Sequence, residues 1–275
     1  MREPCSPPRG TDATAADAAR HRLLEGVLLR LARLPDAGGF ALRGGVLLRH
    51  WFRPVPRPAE DLDLVAAAGF DLAEAARRFH LVLADAAVPD GVAYDVERTR
   101  VEGIFLDTGT PGVRVFASGT VDRAEGEFHV DVTFGPTPRP APAFEELPTA
   151  SGLTARVWAC RPEAVVAQKV QALVHLGMSG WRPKDLNDLR LLLARVPLDT
   201  GALRDAVAAY LADLGRTVDD ARAVFDPSSW WGMKLSAARW LDFVRSTRGP
   251  AVPRDLPGIV AAIADRLAPI LEGVP

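Results

Sequence analysis

Phe40-Ala41-Leu42-Arg43-Gly44-Gly45-Val46-Leu47-Leu48-Arg49, followed by Glu60-Asp61-Leu62-Asp63-Leu64-Val65, is the stretch whose reading decides the fold. Its first half reads as a short apolar strand that breaks at two glycines and restarts as a helix. Its second half reads as a strand whose alternation puts Asp61 and Asp63 on one face and Leu62 and Leu64 on the other. Carboxylates two residues apart on a strand project side by side and repel unless a cation sits between them. Glycines let backbone N–H groups approach an anion closely, and a helix N-terminus adds a favourable dipole. A phosphate cradle beside a pair of divalent-metal ligands is the layout that phosphoryl or nucleotidyl transfer needs.

Working outward, the N-terminal flank splits into a Pro/Gly/Ser-rich tail over residues 1–13, expected to be disordered, and a helix from about Ala15 to Leu34. That helix is read from the spacing of Leu23, Leu24, Val27, Leu28, Leu31 and Leu34. A turn over Asp36-Ala37-Gly38-Gly39 leads into the Phe40–Arg43 strand, and a Pro-rich loop (Pro54, Pro56, Pro58) leads to the Asp61/Asp63 strand. Asp71 is placed to cap a helix running to about Ala87. Four strand-like segments follow, Val92–Thr99, Val101–Asp107, Val113–Ser118 and Glu127–Phe134. In the last, Val130, Val132 and Phe134 share one face, and His129, Asp131 and Thr133 the other. Asp131 is therefore a third candidate carboxylate for the same metal site. His129 reads as a sheet-face or hydrogen-bonded residue, having no second histidine at ligand spacing.

Gly135 to Pro148 reads as irregular, and Thr154–Cys160 as a short strand. Beyond it the pattern becomes helical throughout: Pro162–Gly177, Pro183–Arg195, Gly201–Leu214, Val218–Phe225, Met233–Arg245 and Leu256–Leu271. The expected class is α+β: a mixed β-sheet core flanked by helices over 14–160, then an all-helical domain over 161–275.

A net charge of −2 gives no global attraction to nucleic acid or anionic membrane, although a local arginine patch would suffice for RNA. Apolar content of 48% and charged content of 25% are those of an ordinary globular protein. No apolar run reaches the length of a membrane span, no signal peptide is visible, and Cys5 and Cys160 form no disulfide or zinc pattern. A cytoplasmic setting without a membrane partner is expected. The basic residues are thirty arginines and three lysines (Lys169, Lys184, Lys234), so a retained lysine can mark a need for an ammonium.

Three further groups carry chemistry. Arg57, four residues before Asp61 in the series Arg43, Arg49, Arg53 and Arg57, is placed to meet a triphosphate, which a guanidinium grips through two oxygens. Lys169 lies beside the apolar stripe Val166, Val170 and Leu173. Asp185 and Asp188 share a face of the helix opened by Pro183, where first-turn acids also serve the helix dipole. Trp230, Trp231 and Trp240 read as core residues rather than a stacking platform for bases.

Together these pieces resemble the nucleotidyltransferases of the abortive-infection AbiEii toxin family, within the DNA polymerase β-like superfamily. The matching segments are Leu42-Arg43-Gly44-Gly45-Val46, Arg57 with Asp61-Leu62-Asp63-Leu64, Val130-Asp131-Val132, Gln168-Lys169-Val170-Gln171-Ala172-Leu173 and Arg182-Pro183-Lys184-Asp185-Leu186-Asn187-Asp188-Leu189. The resemblance implies a nucleotidyltransferase-like core in which Asp61, Asp63 and Asp131 hold two Mg²⁺ ions and Gly44 and Gly45 hold the triphosphate of an NTP. It implies that Lys169 contacts nucleotide phosphate and that Asp185 is an essential carboxylate. Arg57 and Asp188 are counted with the nucleotide-binding residues. It also implies transfer of a nucleoside monophosphate to an acceptor hydroxyl, with tRNA or another RNA as acceptor and an antitoxin protein as partner. The family often has Ser two residues before the first Asp; here that position is Ala59. Transfer to a small molecule or a protein hydroxyl, and a non-catalytic nucleotide-binding module, are the competing expectations.

Overall fold

A computed structural model describes residues 10–34, 39–52, 55, 57–66, 69, 71–107, 110–226, 228–247 and 251–272, with side chains from 15 onward. The expected turn at 36–39 and residues Cys5, Arg53, Pro54 and Pro56 therefore lie wholly or mostly outside the described residues. The chain divides into two compact units. One draws on Met1–His50, Pro58–Thr137 and Phe144–Ala159, the other on Trp51–Arg57, Pro138–Ala143 and Cys160–Pro275.

The N-terminal unit is built on a mixed sheet. Its strands are β1 (Phe40–Arg43), β2 (Asp61–Ala66), β3 (Val92–Tyr94), β4 (Arg100–Ile104), β5 (Gly112–Val121), β6 (Ala124–Phe134), β7 (Ala143–Pro148) and β8 (Thr154–Ala159). Their spatial order is β3-β5-β6-β2-β1-β8-β7, with β4 also paired to β5. β1 runs antiparallel to β2, β2 parallel to β6, and β5 antiparallel to β6. Valine, leucine and phenylalanine at alternate positions give each central strand one buried face: Leu62, Leu64, Val113, Val115, Val130 and Val132 are all at most 1% exposed.

Helix α1 (Gly10–Leu31) covers that apolar face, burying Leu23, Leu24, Val27 and Leu28. Gly119 and Gly126 make room for it, since a Cβ at either would stand 3.0 Å or less from the Leu23 side chain. Arg30, itself buried, ties α1 to the residues before β3. It donates to the Asp90 carboxylate at 2.6 Å and lies 4.9 Å from the centre of the Tyr94 ring. Helix α3 (Leu72–Ala84) starts on Asp71, whose side chain accepts from the Glu74 N–H at 3.0 Å, as the sequence predicts, and ends three residues early. Other expectations shift as well, β3 ending at Tyr94 rather than Thr99 and β4 at Ile104 rather than Asp107. Part of the expected disordered tail is helical, because α1 begins at Gly10. Part of the Gly135–Pro148 stretch is not irregular, because its last six residues form the edge strand β7, where prolines at the margin cost no central ladder bond.

The C-terminal unit is helical: α4 (Pro162–Gly180), α5 (Pro183–Arg195), α6 (Thr200–Ala212), α7 (Val218–Phe225), α8 (Lys234–Ser246) and α9 (Leu256–Leu271). Pro162 and Pro183 occupy first-turn positions, where the missing N–H has no helical partner to lose. Trp181, Trp231 and Trp240 are buried, and Trp231 and Trp240 donate their indole N–H groups to the carbonyls of Val224 and Pro253. The tryptophans near the C-terminus are thus core residues, with Trp230 only partly buried beside Trp231. Among the described residues no helix is long and apolar enough to cross a membrane. The protein is an α+β protein with a mixed sheet and a helical C-terminal half.

Candidate active site

The face of the sheet opposite α1 carries the polar residues of the central strands. Parallel pairing of β2 with β6 sets Asp61 beside His129 and Asp63 beside Asp131, and paired residues point to the same side. Asp61, Asp63 and Asp131 therefore lie on one face. The row through Asp63 continues in both directions: Arg43 pairs with Asp63 on β1, and Arg114 pairs with Asp131 on β5.

Gly44 closes one side of this face. It sits at the junction of β1 and α2 (Gly44–Trp51) with φ of +71°, a conformation that disfavours side chains. A Cβ at this position would lie 1.9 Å from Asp63 Oδ2, so the backbone turn is packed directly on the carboxylate. Gly45 follows in the first turn of α2. Gly44→Ala is accordingly expected to displace the Asp63 carboxylate as well as strain the turn. Backbone strain of this kind costs about 1–3 kcal/mol. A drop in thermal stability together with loss of transfer activity is the predicted outcome, and a variant with wild-type melting and turnover would contradict the close approach.

The carboxylates are not equivalent. Arg114 grips Asp131 with both arms of its guanidinium, at 2.7 and 2.6 Å. That hydrogen-bonded pairing, with the further attraction of Asp61 and Asp63, holds the Arg114 pKa above its ordinary value. His129 Nε2 lies 3.6 Å from Asp61 Oδ2, and its ring stands 6.3 Å from that of Phe116. Among the described residues no three His, Cys, Asp or Glu side chains are gathered at metal-binding spacing. The donor chemistry nonetheless suits a hard divalent cation. Mg²⁺ is commonly held by one or two carboxylates plus substrate phosphates and water, without a closed protein cage. Ala59, at the position where the resemblance leads one to look for serine, is buried and offers no hydroxyl.

The second group of candidate residues belongs to the C-terminal unit. Lys169 on α4 and Asp185 and Asp188 on α5 meet inside it: Lys169 Nζ donates to Asp185 Oδ1 at 3.1 Å and to Asp188 Oδ2 at 3.0 Å. Arg57, from the Trp51–Arg57 segment of the same unit, donates to both oxygens of Asp188 at 3.2 and 2.9 Å. Asp188 is wholly buried. Burial opposes its charge, but Lys169 and Arg57 outweigh that and hold its pKa below the ordinary value. Burial likewise opposes charge on Lys169, and Asp188 and Asp185 more than offset it, so its pKa is raised. Asp185 Oδ2 is buried without a hydrogen-bond partner, although Arg182 Nε stands 3.0 Å away.

The sequence-predicted residues thus fall into two sets. Gly44, Gly45, Asp61, Asp63 and Asp131 adjoin one sheet face, and Arg57, Lys169, Asp185 and Asp188 form one buried charged cluster. Lys169 is buried in an ion cluster rather than a surface lysine, and the Asp185/Asp188 pair serves that cluster rather than only the helix dipole. Arg114 was not singled out from sequence. Its signal was the hairpin: Asp122 and Arg123 both have positive φ and form a two-residue turn, which pairs Val121 with Ala124 and so Arg114 with Asp131.

Residues 26–262 match the family described as AbiEii, nucleotidyl transferase AbiEii toxin, type IV toxin–antitoxin system. No curated protein matches. Among solved structures the chain is similar to JHP933 from Helicobacter pylori, at 18% identity and a TM-score of 0.50, covering 92% of this chain and 90% of that one. It is also similar to an antigenic nucleotidyltransferase-like protein from Paracoccidioides brasiliensis, at 15% identity and a TM-score of 0.39, covering 74% of this chain and 94% of that one. With the match spanning most of its length, the chain belongs to the AbiEii family of toxins and is a nucleotidyltransferase.

Proposed function

We propose that this protein is a Mg²⁺-dependent toxin that moves a nucleoside monophosphate from an NTP onto a hydroxyl of an RNA acceptor, tRNA foremost, and is restrained by an antitoxin. The observation that carries this reading is the register placing Asp61, Asp63 and Asp131 on one face with Gly44 packed on Asp63. Asp61, Asp63 and Asp131 would hold the metal. When bound, Mg²⁺ supplies Lewis acidity to the phosphates and lowers the pKa of an acceptor hydroxyl.

The chain's own residues do the rest. Backbone N–H groups at the Gly44-Gly45 turn and the start of α2 receive triphosphate oxygens, where the helix dipole favours negative charge. Lys169, which donates to Asp185 and Asp188, keeps its ammonium charge, the charge that a nucleotide phosphate calls for. Asp185 is taken as the essential carboxylate, its oxygens 3.1 Å from Lys169 Nζ and 3.0 Å from Arg182 Nε. Arg57 and Asp188 position Lys169 by holding their shared charge network in one geometry. In the transfer, the acceptor oxygen forms a bond to the α-phosphorus. The bond from that phosphorus to the bridging oxygen of pyrophosphate breaks, pyrophosphate leaves with the electron pair, and the hydroxyl proton passes to solvent. A reaction that consumes NTP fits the cytoplasm.

The reading is tested by incubating the protein with each α-labelled NTP, Mg²⁺ and bulk tRNA, then resolving the RNA on a gel. Label on tRNA that depends on Mg²⁺ is the expected result. Label appearing only on a small molecule or on protein moves the acceptor to another class, and NTP binding without transfer to any acceptor overturns the proposal.

A further inference from the structure

We propose that the hollow beside Phe116 is the acceptor subsite, and that it takes the terminal nucleotide of a single-stranded RNA. This rests on the function proposed above and names where its acceptor sits. A cavity of about 460 Å³ opens on the N-terminal unit, lined in part by Arg98, Arg100, Phe116, Ser118 and Glu127. It is tied to Asp61 by one cross-strand row, next to the row that holds Asp63 and Asp131. Asp61 on β2 pairs with His129 on β6, His129 with Phe116 on β5, and Phe116 with Arg100 on β4. All four side chains thus point to the same side of the sheet. Strands are spaced about 4.8 Å apart, so Phe116 stands about 10 Å across the sheet from Asp61, within the reach of one nucleotide.

The direction of the row matters. Displacement at phosphorus places the attacking and leaving oxygens roughly in line. The Gly44 turn, where the triphosphate is received, lies on the β1 side of the aspartates, and the Phe116 hollow lies on the β5 side. A hydroxyl presented from the hollow therefore approaches the α-phosphorus opposite the departing pyrophosphate.

The lining suits a nucleotide. The Arg100 guanidinium lies over the half-buried Phe116 ring at 5.0 Å, a cation–π pair of the kind on which a base stacks. Arg98 and Arg100 are well exposed, and their ion pairs, with Asp95 at 3.3 Å and Glu102 at 3.5 Å, are the weak surface kind that a phosphate can displace. Ser118 and Glu127 supply a hydroxyl and a carboxylate for base or ribose edges. Arg100 over an aromatic ring, with Arg98 beside it in the lining, gives RNA a foothold on a chain whose net charge of −2 offers none overall.

The test uses the full chain, a fluorescein-labelled single-stranded RNA of about eight nucleotides, and the variants Arg98→Ala/Arg100→Ala and Phe116→Ala. Binding is followed by anisotropy across salt concentrations, and KM is measured separately for RNA and NTP. Each variant is expected to raise KM for RNA about tenfold and to leave KM for NTP within about twofold. The arginine variant should also flatten the plot of log affinity against log salt by about 1.4, or 0.7 per phosphate contact on a single strand. Because both arginines are exposed, this variant tests the site even if loss of Phe116 disturbs packing. Unchanged RNA affinity and salt slope in the arginine variant, with transfer intact, would place the acceptor elsewhere. Transfer only to small molecules or protein, with no RNA binding, would overturn the subsite and the RNA acceptor while leaving nucleotidyl transfer itself standing. RNA binding that depends on Arg98 and Arg100 without transfer from any NTP would support the subsite and overturn the proposed activity.

Discussion

Asp63→Ala is expected to lower nucleotidyl transfer on the order of 10³-fold while the protein stays folded. Asp63 occupies the centre of the row Arg43, Asp63, Asp131 and Arg114, and the Gly44 backbone is packed against it. The side chain is only partly buried, so its removal does not open the apolar core. Melting within about 2–4 °C of wild type is therefore expected. Turnover near the wild-type rate at unchanged Mg²⁺ would remove Asp63 from the proposed machinery.

The second large effect concerns stability. Asp188→Ala leaves Lys169 and Arg57 with one buried countercharge fewer, and breaking a buried pair from one side costs about 3–5 kcal/mol. A fall of roughly 10 °C in melting temperature is expected. The same cluster gives a pH signature. Asp188 has its pKa below the ordinary 3.8, so its stabilisation is complete above that value and is lost as pH falls through the native pKa. Lys169 has its pKa raised above 10.5, so its share is complete below that value and is lost only at more alkaline pH. Stability from this cluster should thus be flat across neutral pH and fall below about pH 4, and the acid fall should shrink in Asp188→Ala. Denaturant melts at pH 7 and pH 3 on both proteins measure it. Equal stability of variant and wild type at pH 7 would mean that the cluster carries little energy.

How far the sequence could be read depends on whether a feature is local. Alternation in Asp61-Leu62-Asp63-Leu64 and Val130-Asp131-Val132 was enough to put the acids on polar faces, because side-chain period in a strand is a local property. The Gly44 turn was visible as a glycine pair between two apolar segments, but its contact with Asp63 needed the antiparallel pairing of β1 and β2. The Arg114–Asp131 pair was hidden because Asp122-Arg123 lacks the asparagine and glycine that usually announce a two-residue hairpin. Periodicity placed Lys169 next to an apolar stripe and Asp185 and Asp188 on one face. That α4 and α5 turn these groups toward each other, with Arg57 closing over Asp188, is tertiary packing. β7 is not legible because Pro142 just before it and Pro148 at its end mask an edge strand.

Divalent-cation binding by the acidic face is measured most directly by Mn²⁺ titration followed by electron paramagnetic resonance, without any need for turnover. Wild-type protein with a non-hydrolysable NTP analogue should bind Mn²⁺ in competition with Mg²⁺, and both Asp61→Ala and Asp63→Ala should weaken that binding by at least about tenfold. Equal Mn²⁺ affinity in wild type and both variants would contradict it.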